Sequence, residues 1–273
     1  MSAAMPRFMP ILTSFAGRVA GCGPEDLLSS GAVLARALRD AQKVAGHDGV
    51  LCLFEPGLLA GCCIEEGGAP RLVEPDTVVA APAFQVLADA VGALGAQVPA
   101  NVSTIFTLAG PALLRRELQA RCPDAPELDD WDYVSDVLTA ALGAAFDSPA
   151  RGLALVDSFD GVPDADLTAM YRSARKLADF YERPFVLFLL PGSAAAELPG
   201  GPQCIFALPQ GGDPCALLRA VSFDGGGVRE APATTAGDIP ADTPVAAVRD
   251  LCREAMQRPA PAGAPALSAP GST

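Results

Sequence analysis

The sequence predicts an α/β protein and, within that class, a (β/α)8 barrel of the TIM type that forms a single domain. Short and almost continuously apolar strands alternate with helices, a pattern that is typical of a parallel sheet buried on both faces. The chain has 273 residues, half of them hydrophobic, and about 250 residues is usual for such a barrel. We expect residues 1–257 to form this domain.

The first half of the chain contains three predicted strands, which cover residues 8–15, 49–54 and 102–108. A helix is expected to begin at Gly23-Pro24, because apolar residues recur after it at helical spacing. Further helices are predicted over 82–94 and 112–120. Each crossover between strands thus contains a helix, as a parallel sheet requires.

The second half continues the alternation. Helices are predicted over 130–146, 164–181 and 214–221, and a last one from Thr243-Pro244 to about Met256, because a threonine followed by proline is typical of a helix start. Strands are predicted over 152–156, 185–190 and 204–208, with further candidates around Ser222 and Thr234. After Arg258 the residues up to 273 are mostly Pro, Ala, Gly and Ser, so a disordered tail is expected over 258–273.

Charge and composition exclude several classes of partner. The net charge of −13 argues against nucleic acid and anionic membranes, because both bind through clustered lysine and arginine. No apolar run reaches the roughly 18 residues of a membrane span, and the start of the chain lacks the features of a signal peptide. We therefore expect a cytoplasmic protein whose partner is a small molecule.

Cysteine and glycine patterns exclude other sites. The eight cysteines are scattered and form no C-x-x-C motif, so reduced and mostly buried thiols are expected. Only the adjacent pair Cys62-Cys63 merits a test for redox or metal behaviour. No glycine fingerprint follows the first strand and no Walker sequence occurs, which argues against dinucleotide and P-loop nucleotide binding.

Polar residues follow several predicted strands at their carboxyl ends, where α/β proteins bind ligands. Glu55 directly follows the strand 49–54, and in an apolar barrel mouth its pKa would rise, so Glu55 is the predicted catalytic acid or base. Arg18 is predicted to bind a substrate carboxylate as a planar fork. Other predicted substrate contacts are Thr13, Ser14, Asp157, Asp160, Tyr133 and Tyr171.

Each of these residues has a structural alternative. Glu55-Pro56 is also compatible with a simple loop cap, and Arg18 with a surface ion pair. Asp157 and Asp160 lie in the sequence Asp-Ser-Phe-Asp-Gly, whose residue types are common in turns. Tyr171 lies on the apolar face of a predicted helix. These alternatives stay open on the sequence alone.

The order of several motifs resembles the uroporphyrinogen decarboxylase-like superfamily. The stretches that carry the resemblance are Ala16-Gly17-Arg18, Asp48-Gly49-Val50 through Glu55-Pro56, Gly110-Pro111-Ala112-Leu113-Leu114, Met170-Tyr171-Arg172 through Pro184-Phe185-Val186, and 234–244. The family also contains methylcobalamin:coenzyme M methyltransferases. The resemblance implies a (β/α)8 barrel, one-carbon chemistry and a homodimer.

The chain departs from the family at its metal site and its arginine cluster. Family methyltransferases carry a His-x-Cys pair that holds zinc on the strand similar to 185–190, where this chain has Phe188 and Leu190. No metal is therefore expected. Family decarboxylases carry an acid that Glu55 matches and several arginines, of which only Arg18 has a counterpart here. A substrate smaller than an eight-carboxylate tetrapyrrole is expected.

Three functions follow from these observations. The first is a decarboxylase of a small carboxylated metabolite that needs neither metal nor cofactor. The second is a corrinoid- or folate-linked methyltransferase without the usual zinc. The third is a barrel without catalysis that acts as a binding or scaffold subunit.

Overall fold

The computed structural model describes residues 5–65, 70–159, 163–193, 201–222 and 232–257. Two expectations, the disordered tail 258–273 and a domain that extends to residue 1, fall wholly or partly outside these ranges. Within the described ranges, no helix is long and apolar enough to cross a bilayer.

Helices and strands alternate through the described residues. The helices are α1 (Thr13–Ala20), α2 (Pro24–Leu27), α3 (Gly31–Ala45), α4 (Leu58–Cys62), α5 (Pro82–Gln97), α6 (Pro111–Arg121), α7 (Asp132–Asp147), α8 (Ala165–Phe180) and α9 (Val245–Gln257), with 3-10 helices at Pro75–Ala80 and Pro126–Leu128. The strands are β1 (Gly49–Cys52), β2 (Ser103–Ala109), β3 (Gly152–Asp157), β4 (Phe185–Leu189), β5 (Cys204–Ala207), β6 (Leu217–Arg219), β7 (Val221–Ser222) and β8 (Ala233–Thr235).

The main sheet has the order β1-β2-β3-β4-β5-β7. Its first five strands are parallel, and β7 pairs with β5 in the antiparallel sense. Every residue of β1 to β4 is buried, as continuously apolar strands require when both faces are covered. The predicted α/β class with a parallel sheet is therefore confirmed.

Strand pairing continues past both edges of this sheet. Phe8 forms a parallel bridge with Ala233 of β8, and its carbonyl accepts a hydrogen bond from the Gly49 N–H of β1 at 3.0 Å. The other edge of the sheet is formed by β7, and only Ala220 separates β7 from β6 in the chain. The short stretch 217–222 thus pairs first with β8 and then with β5.

An aromatic contact shows that the sheet is curved. The ring centroids of Phe54, which follows β1, and Phe188 of β4 are 5.4 Å apart. Two strands lie between β1 and β4, so a flat sheet would separate them by about 14 Å. Phe188 also stacks on Phe206 of β5 at 5.1 Å, and the concave face is therefore filled by aromatic side chains.

The helix predicted from Gly23-Pro24 is divided into α2 and α3, since Ser30 caps a new helix start. Two other predicted elements are wrong. Residues 8–15 do not form one strand, because only Phe8 makes a bridge and α1 already begins at Thr13; Pro10 between them has no N–H to donate to a sheet. The predicted helix 214–221 is instead β6 and β7, since pairing with β8 and β5 outweighs local propensity. The strand candidates around Ser222 and Thr234 are confirmed as β7 and β8.

His47 lies buried just before β1, at the amino end of the sheet. Its Nδ1 is 2.7 Å from the Gly49 carbonyl oxygen, which assigns the ring proton to Nδ1. Among the described residues Nε2 has no hydrogen-bond partner. Burial lowers the pKa of His47 to about 4, against the smaller raising effects of the Gly49 carbonyl and the Asp48 charge.

We predict that His47 contributes to acid unfolding. Its pKa in the folded chain is about 4, below the ordinary 6.5, so its neutral form stabilises the fold above pH 6.5 and that contribution is lost as the pH falls towards 4. Between pH 7 and pH 4.5 it should account for about 2 kcal/mol of lost stability. Urea unfolding of the wild type and of His47→Gln at both pH values measures this difference. An equal loss of unfolding free energy in the two proteins between pH 7 and pH 4.5 would contradict it.

Candidate functional site

The start of α1, the turn after β1 and the turn after β8 meet at the carboxyl edge of the sheet. The Phe54 N–H donates to Thr13 Oγ1 at 3.2 Å. The Ser14 N–H and hydroxyl both donate to Asp238 Oδ2, at 2.9 and 2.6 Å. We call Thr13, Ser14, Glu55 and Asp238 the carboxyl-edge site.

Asp238 is the half-buried acid of this site. Burial raises its pKa, the hydrogen bonds from Ser14 and Thr13 lower it, and the negative charge of Glu55 raises it further. The two carboxylates are therefore near enough to act on each other. Asp238 holds a proton at a higher pH than an ordinary aspartate, which suits a group that gives or takes protons.

Glu55 is the exposed acid of the site. Its Oε1 accepts a long hydrogen bond, 3.4 Å, from the Gly57 N–H, so most of its acceptor capacity faces solvent. The preceding Leu53 is buried and has φ 64°, a left-handed conformation that is uncommon for residues other than glycine. Backbone strain of this kind concentrates at functional sites, and here it lies directly before Phe54 and Glu55.

A cation lies beside the same turn. A methyl group placed on Gly57 would lie 3.4 Å from Arg121 Nη2 and 3.6 Å from Glu55 Oε1, so the guanidinium and the carboxylate flank Gly57 together. Arg121 is the last residue of α6 and does not follow a strand, so its position in the sequence does not mark it as a site residue.

Arg18 is held by protein groups on the exposed side of α1. Its Nη2 donates to the Thr243 carbonyl oxygen at 2.5 Å, and its guanidinium carbon lies 4.9 Å from the centroid of Phe15. These contacts join α1 to the segment before α9. A substrate contact by Arg18 stays a prediction.

Asp157 and Tyr171 form a buried pair on the helix side of the sheet. The Asp157 carboxylate accepts hydrogen bonds from the N–H groups of Ala112 and Leu113, at the start of α6, and from the Ser158 N–H. The Tyr171 hydroxyl donates to the same carboxylate. Burial raises the pKa of both residues. With four donors, Asp157 serves as the anchor of α6, and the predicted substrate contacts of both residues are untested.

The other predicted contacts lie elsewhere or outside the described residues. The Tyr133 hydroxyl donates to the Val73 carbonyl oxygen at 2.8 Å, and its ring lies on α7 within the helical layer. Asp160 lies outside the described residues. Cys62 and Cys63 are both buried, and burial raises the pKa of these thiols to about 11 and about 12, which opposes thiolate chemistry at neutral pH.

The residues present do not fit the zinc site that the family resemblance implies. Phe188 and Leu190 offer no donor atom, and Phe188 is packed between two other aromatic rings. Across the described ranges, no three His, Cys, Asp or Glu side chains converge in a way that could hold a metal ion. We derive no step through zinc.

Asp238 is the principal site residue that sequence reasoning missed. It follows the strand candidate around Thr234, so the rule that selected Glu55 and Asp157 also applies to it. The strand β8 has only three residues, so its sequence pattern is weak and does not point to the residues that follow it. Its nearest partner, Ser14, is 224 residues away in the chain, which no local pattern can reveal.

Comparison with known proteins gives a likeness of fold. No family model matches the chain, and no curated protein matches it. Among solved structures, a methyltransferase from Methanosarcina mazei is similar with a TM-score of 0.50 and 13% identity over 69% of this chain. The matched region spans 64% of that methyltransferase, so the chain covers less than two thirds of its length. At this identity the likeness shows the fold alone.

We predict that Glu55→Gln lowers the pKa of Asp238, because it removes the negative charge that raises it. An NMR titration of the Asp238 carboxyl carbon measures this pKa. The matched control is Glu74→Gln, at an exposed glutamate outside the site, which should leave it unchanged. An unchanged pKa in Glu55→Gln would show that the two acids do not interact.

We predict that Gly110→Ala destabilises the protein by about 2 kcal/mol. The added methyl group would collide with the Asp157 carboxylate, which is held by four donors and cannot move freely. The control is Gly143→Ala in α7, where nothing lies within 4 Å of the added methyl; it should stabilise the protein by about 0.5–1 kcal/mol. Chemical unfolding measures the free energy of unfolding of both variants. Equal changes in the two variants would contradict the prediction.

Proposed function

We propose that this chain is a divergent member of the uroporphyrinogen decarboxylase-like superfamily that transfers or removes a one-carbon group on a small molecule. The coupled acids Glu55 and Asp238 at the carboxyl edge carry this proposal. The motif order of the sequence and the likeness of fold to a methyltransferase support it.

The proposed architecture is a barrel closed through the two ends of the chain. Three observations support closure. Phe8 links β1 to β8, residues 217–222 link β8 to β5, and Phe54 contacts Phe188 across the concave face. A closed sheet would leave no exposed strand edge and would gather the carboxyl-edge turns around one mouth.

Acid and base roles follow from the two environments. Asp238 has the raised pKa and would supply a proton where negative charge develops on a leaving group or carbanion. Glu55 is exposed, and would accept a proton or a hydrogen bond from an N–H or cationic group of the substrate. Ser14 would position Asp238 through its two hydrogen bonds.

Methyl transfer is the first of the two reactions. The fold likeness favours it over decarboxylation, because the similar structure is a methyltransferase. Decarboxylation needs a cation that seats the substrate carboxylate. Arg18 already donates to Thr243 and packs on Phe15, so Arg121 beside Glu55 would have to serve that role. A corrinoid or a folate would be the methyl carrier in this proposal.

One observation favours a second candidate, a binding barrel without catalysis. Phe54, Phe188 and Phe206 fill the concave face beneath the carboxyl-edge site. Phe188 lies on the strand similar to the one that carries the zinc ligands of the family's methyltransferases, and it offers no donor atom for that chemistry. Under this proposal the carboxyl edge would recognise a ligand but not convert it.

The test is a thermal-shift screen with corrinoids, folates, methylated amines, carboxylated metabolites and tetrapyrroles, followed by product analysis. A ligand at about one hundred times its dissociation constant adds about 2.7 kcal/mol, or roughly 5–10 °C in Tm. Glu55→Gln and Asp238→Asn should abolish this shift, and Glu74→Gln should keep it.

The product of the stabilising ligand separates the candidates. Appearance of a 13C-labelled methyl group from the substrate on added corrinoid or folate supports methyl transfer, whereas release of labelled CO2 supports decarboxylation. Binding without turnover favours the binding barrel. No shift with any ligand class would contradict a small-molecule site at the carboxyl edge.

A further inference from the structure

A guanidinium and a carboxylate face each other across Gly57. A methyl group placed on Gly57 would lie 3.4 Å from Arg121 Nη2 and 3.6 Å from Glu55 Oε1, so these two atoms are at most 7.0 Å apart, the sum of the two distances. Within the described ranges they form no ion pair with each other, and their separation therefore exceeds about 4 Å. We call the space between them the Gly57 gap.

The guanidinium of Arg121 has unused donors. The two preceding arginines of α6 are engaged, since Arg116 donates to Ser158 Oγ at 2.8 Å and Arg115 donates to two carbonyl oxygens. Arg121 donates a hydrogen bond to no acceptor among the described residues, and its ion pair with Glu117 is long, 3.7 Å from Nη2 to Oε2. An arginine carries five N–H donors in a planar fork that matches a carboxylate.

The lack of a side chain at Gly57 opens the gap. Gly57 has φ −79° and ψ −10°, a helical conformation that any residue adopts, so the backbone does not require glycine here. A methyl group placed on Gly61, one helical turn further along, would lie 3.7 Å from Arg121 Nη1. The guanidinium thus lies along a surface of α4 that carries no side chain at either glycine, and its Nη2 end points to the gap.

The carboxylate of Glu55 stands at the other side of the gap with acceptor capacity to spare. Its Oε1 accepts one long hydrogen bond, 3.4 Å, from the Gly57 N–H, and the side chain is exposed. A carboxylate accepts about four hydrogen bonds in all. The gap therefore offers donors on one side and acceptors on the other, at a separation too long for the two groups to satisfy each other.

We propose that the Gly57 gap binds a zwitterionic α-amino acid, whose carboxylate accepts from Arg121 and whose ammonium group donates to Glu55. Such a ligand carries both charges on one carbon atom, and charge-assisted hydrogen bonds measure about 2.7–2.9 Å. Two such bonds and one amino acid, bent at its central carbon, fit between two atoms at most 7.0 Å apart. The proposal names the substrate class of the carboxyl-edge site and to that extent rests on the proposed function.

The experiment is an NMR titration of the full chain in which saturation transfer from protein to ligand is observed. The probes are the common α-amino acids and N-methylglycine. Each amino acid that binds is compared with the counterpart that lacks its amine and with the counterpart that lacks its carboxylate. We expect the intact amino acid to bind about tenfold or more tightly than either counterpart, a difference of about 1.4 kcal/mol.

Matched variants locate the binding. Arg121→Gln and Glu55→Gln each remove one charge and should weaken binding by about tenfold or more. Gly57→Ala keeps both charges and a permitted backbone, but its methyl group fills the gap, so it should weaken binding as much. The control Gly61→Ala adds the same methyl group on the Nη1 side, 3.7 Å away, and should leave the affinity unchanged. Melting temperatures verify that every variant is folded.

Three results would overturn the proposal. One is the absence of binding by every α-amino acid tested. Another is equal affinity for the intact amino acid and for the counterpart without its amine, which would reduce the site to a carboxylate contact. The third is equal weakening by Gly57→Ala and Gly61→Ala, which would place the ligand outside the gap.

Failure of the proposed function gives a different result. If an amino acid binds with the expected variant pattern but yields neither a transferred methyl group nor CO2, the ligand class stands and the one-carbon chemistry fails. If a ligand of another class is converted and Arg121→Gln leaves its binding unchanged, the one-carbon chemistry stands and the amino acid proposal fails.

Discussion

The carboxylate of Asp157 joins three parts of the molecule at one buried point. It ends β3, accepts the first free N–H groups of α6, and receives the hydroxyl of Tyr171 from α8. The first N–H groups of any helix lack partners within the helix, and their partial positive charge favours an anion. Hydrogen bonds to a charged acceptor are worth about 1.5–3 kcal/mol each, and the four lower the pKa of Asp157 against the larger raising effect of burial. Gly110 leaves the space that this arrangement needs.

Asp238 repeats the arrangement at α1 with a different outcome. It lies three residues after β8 and accepts the first N–H groups of a helix, from Ser14 and Thr13. Asp238 is only half-buried, however, and the charge of Glu55 acts on it. The same contact therefore anchors a helix at Asp157 and leaves a titratable group beside solvent at Asp238. Solvent access, rather than residue type, separates the structural acid from the candidate catalytic acid.

The sequence predicted the parts of the fold whose cause is local. The runs at 49–54, 102–108, 152–156 and 185–190 became β1 to β4, because continuous apolar strands have few alternatives once helices cover both sides. The segments 8–15 and 214–221 were mispredicted, since their conformation depends on partners far away in the chain. Glu55 was found by its position after a strand, whereas Asp238 and Arg121 were missed because distant contacts bring them to the site. The place of Tyr171 on the apolar face of a predicted helix agrees with its burial on α8, whereas the burial of Asp157 could not be inferred from residue type.

The pairing of the two ends of the chain has a consequence for how the protein folds. The Ile11 N–H donates to Thr235 Oγ1 and the Met9 N–H to the Ala233 carbonyl oxygen, so the first segment finds its partners only after more than 200 residues. Loop closure over such separations is slow, and synthesis proceeds from the amino end. On the ribosome β1 to β4 can pair before β8, the partner of residues 7–14, has been synthesised. The carboxyl-edge site therefore cannot form before the segment around Asp238 has been synthesised, because Ser14 has its partner there.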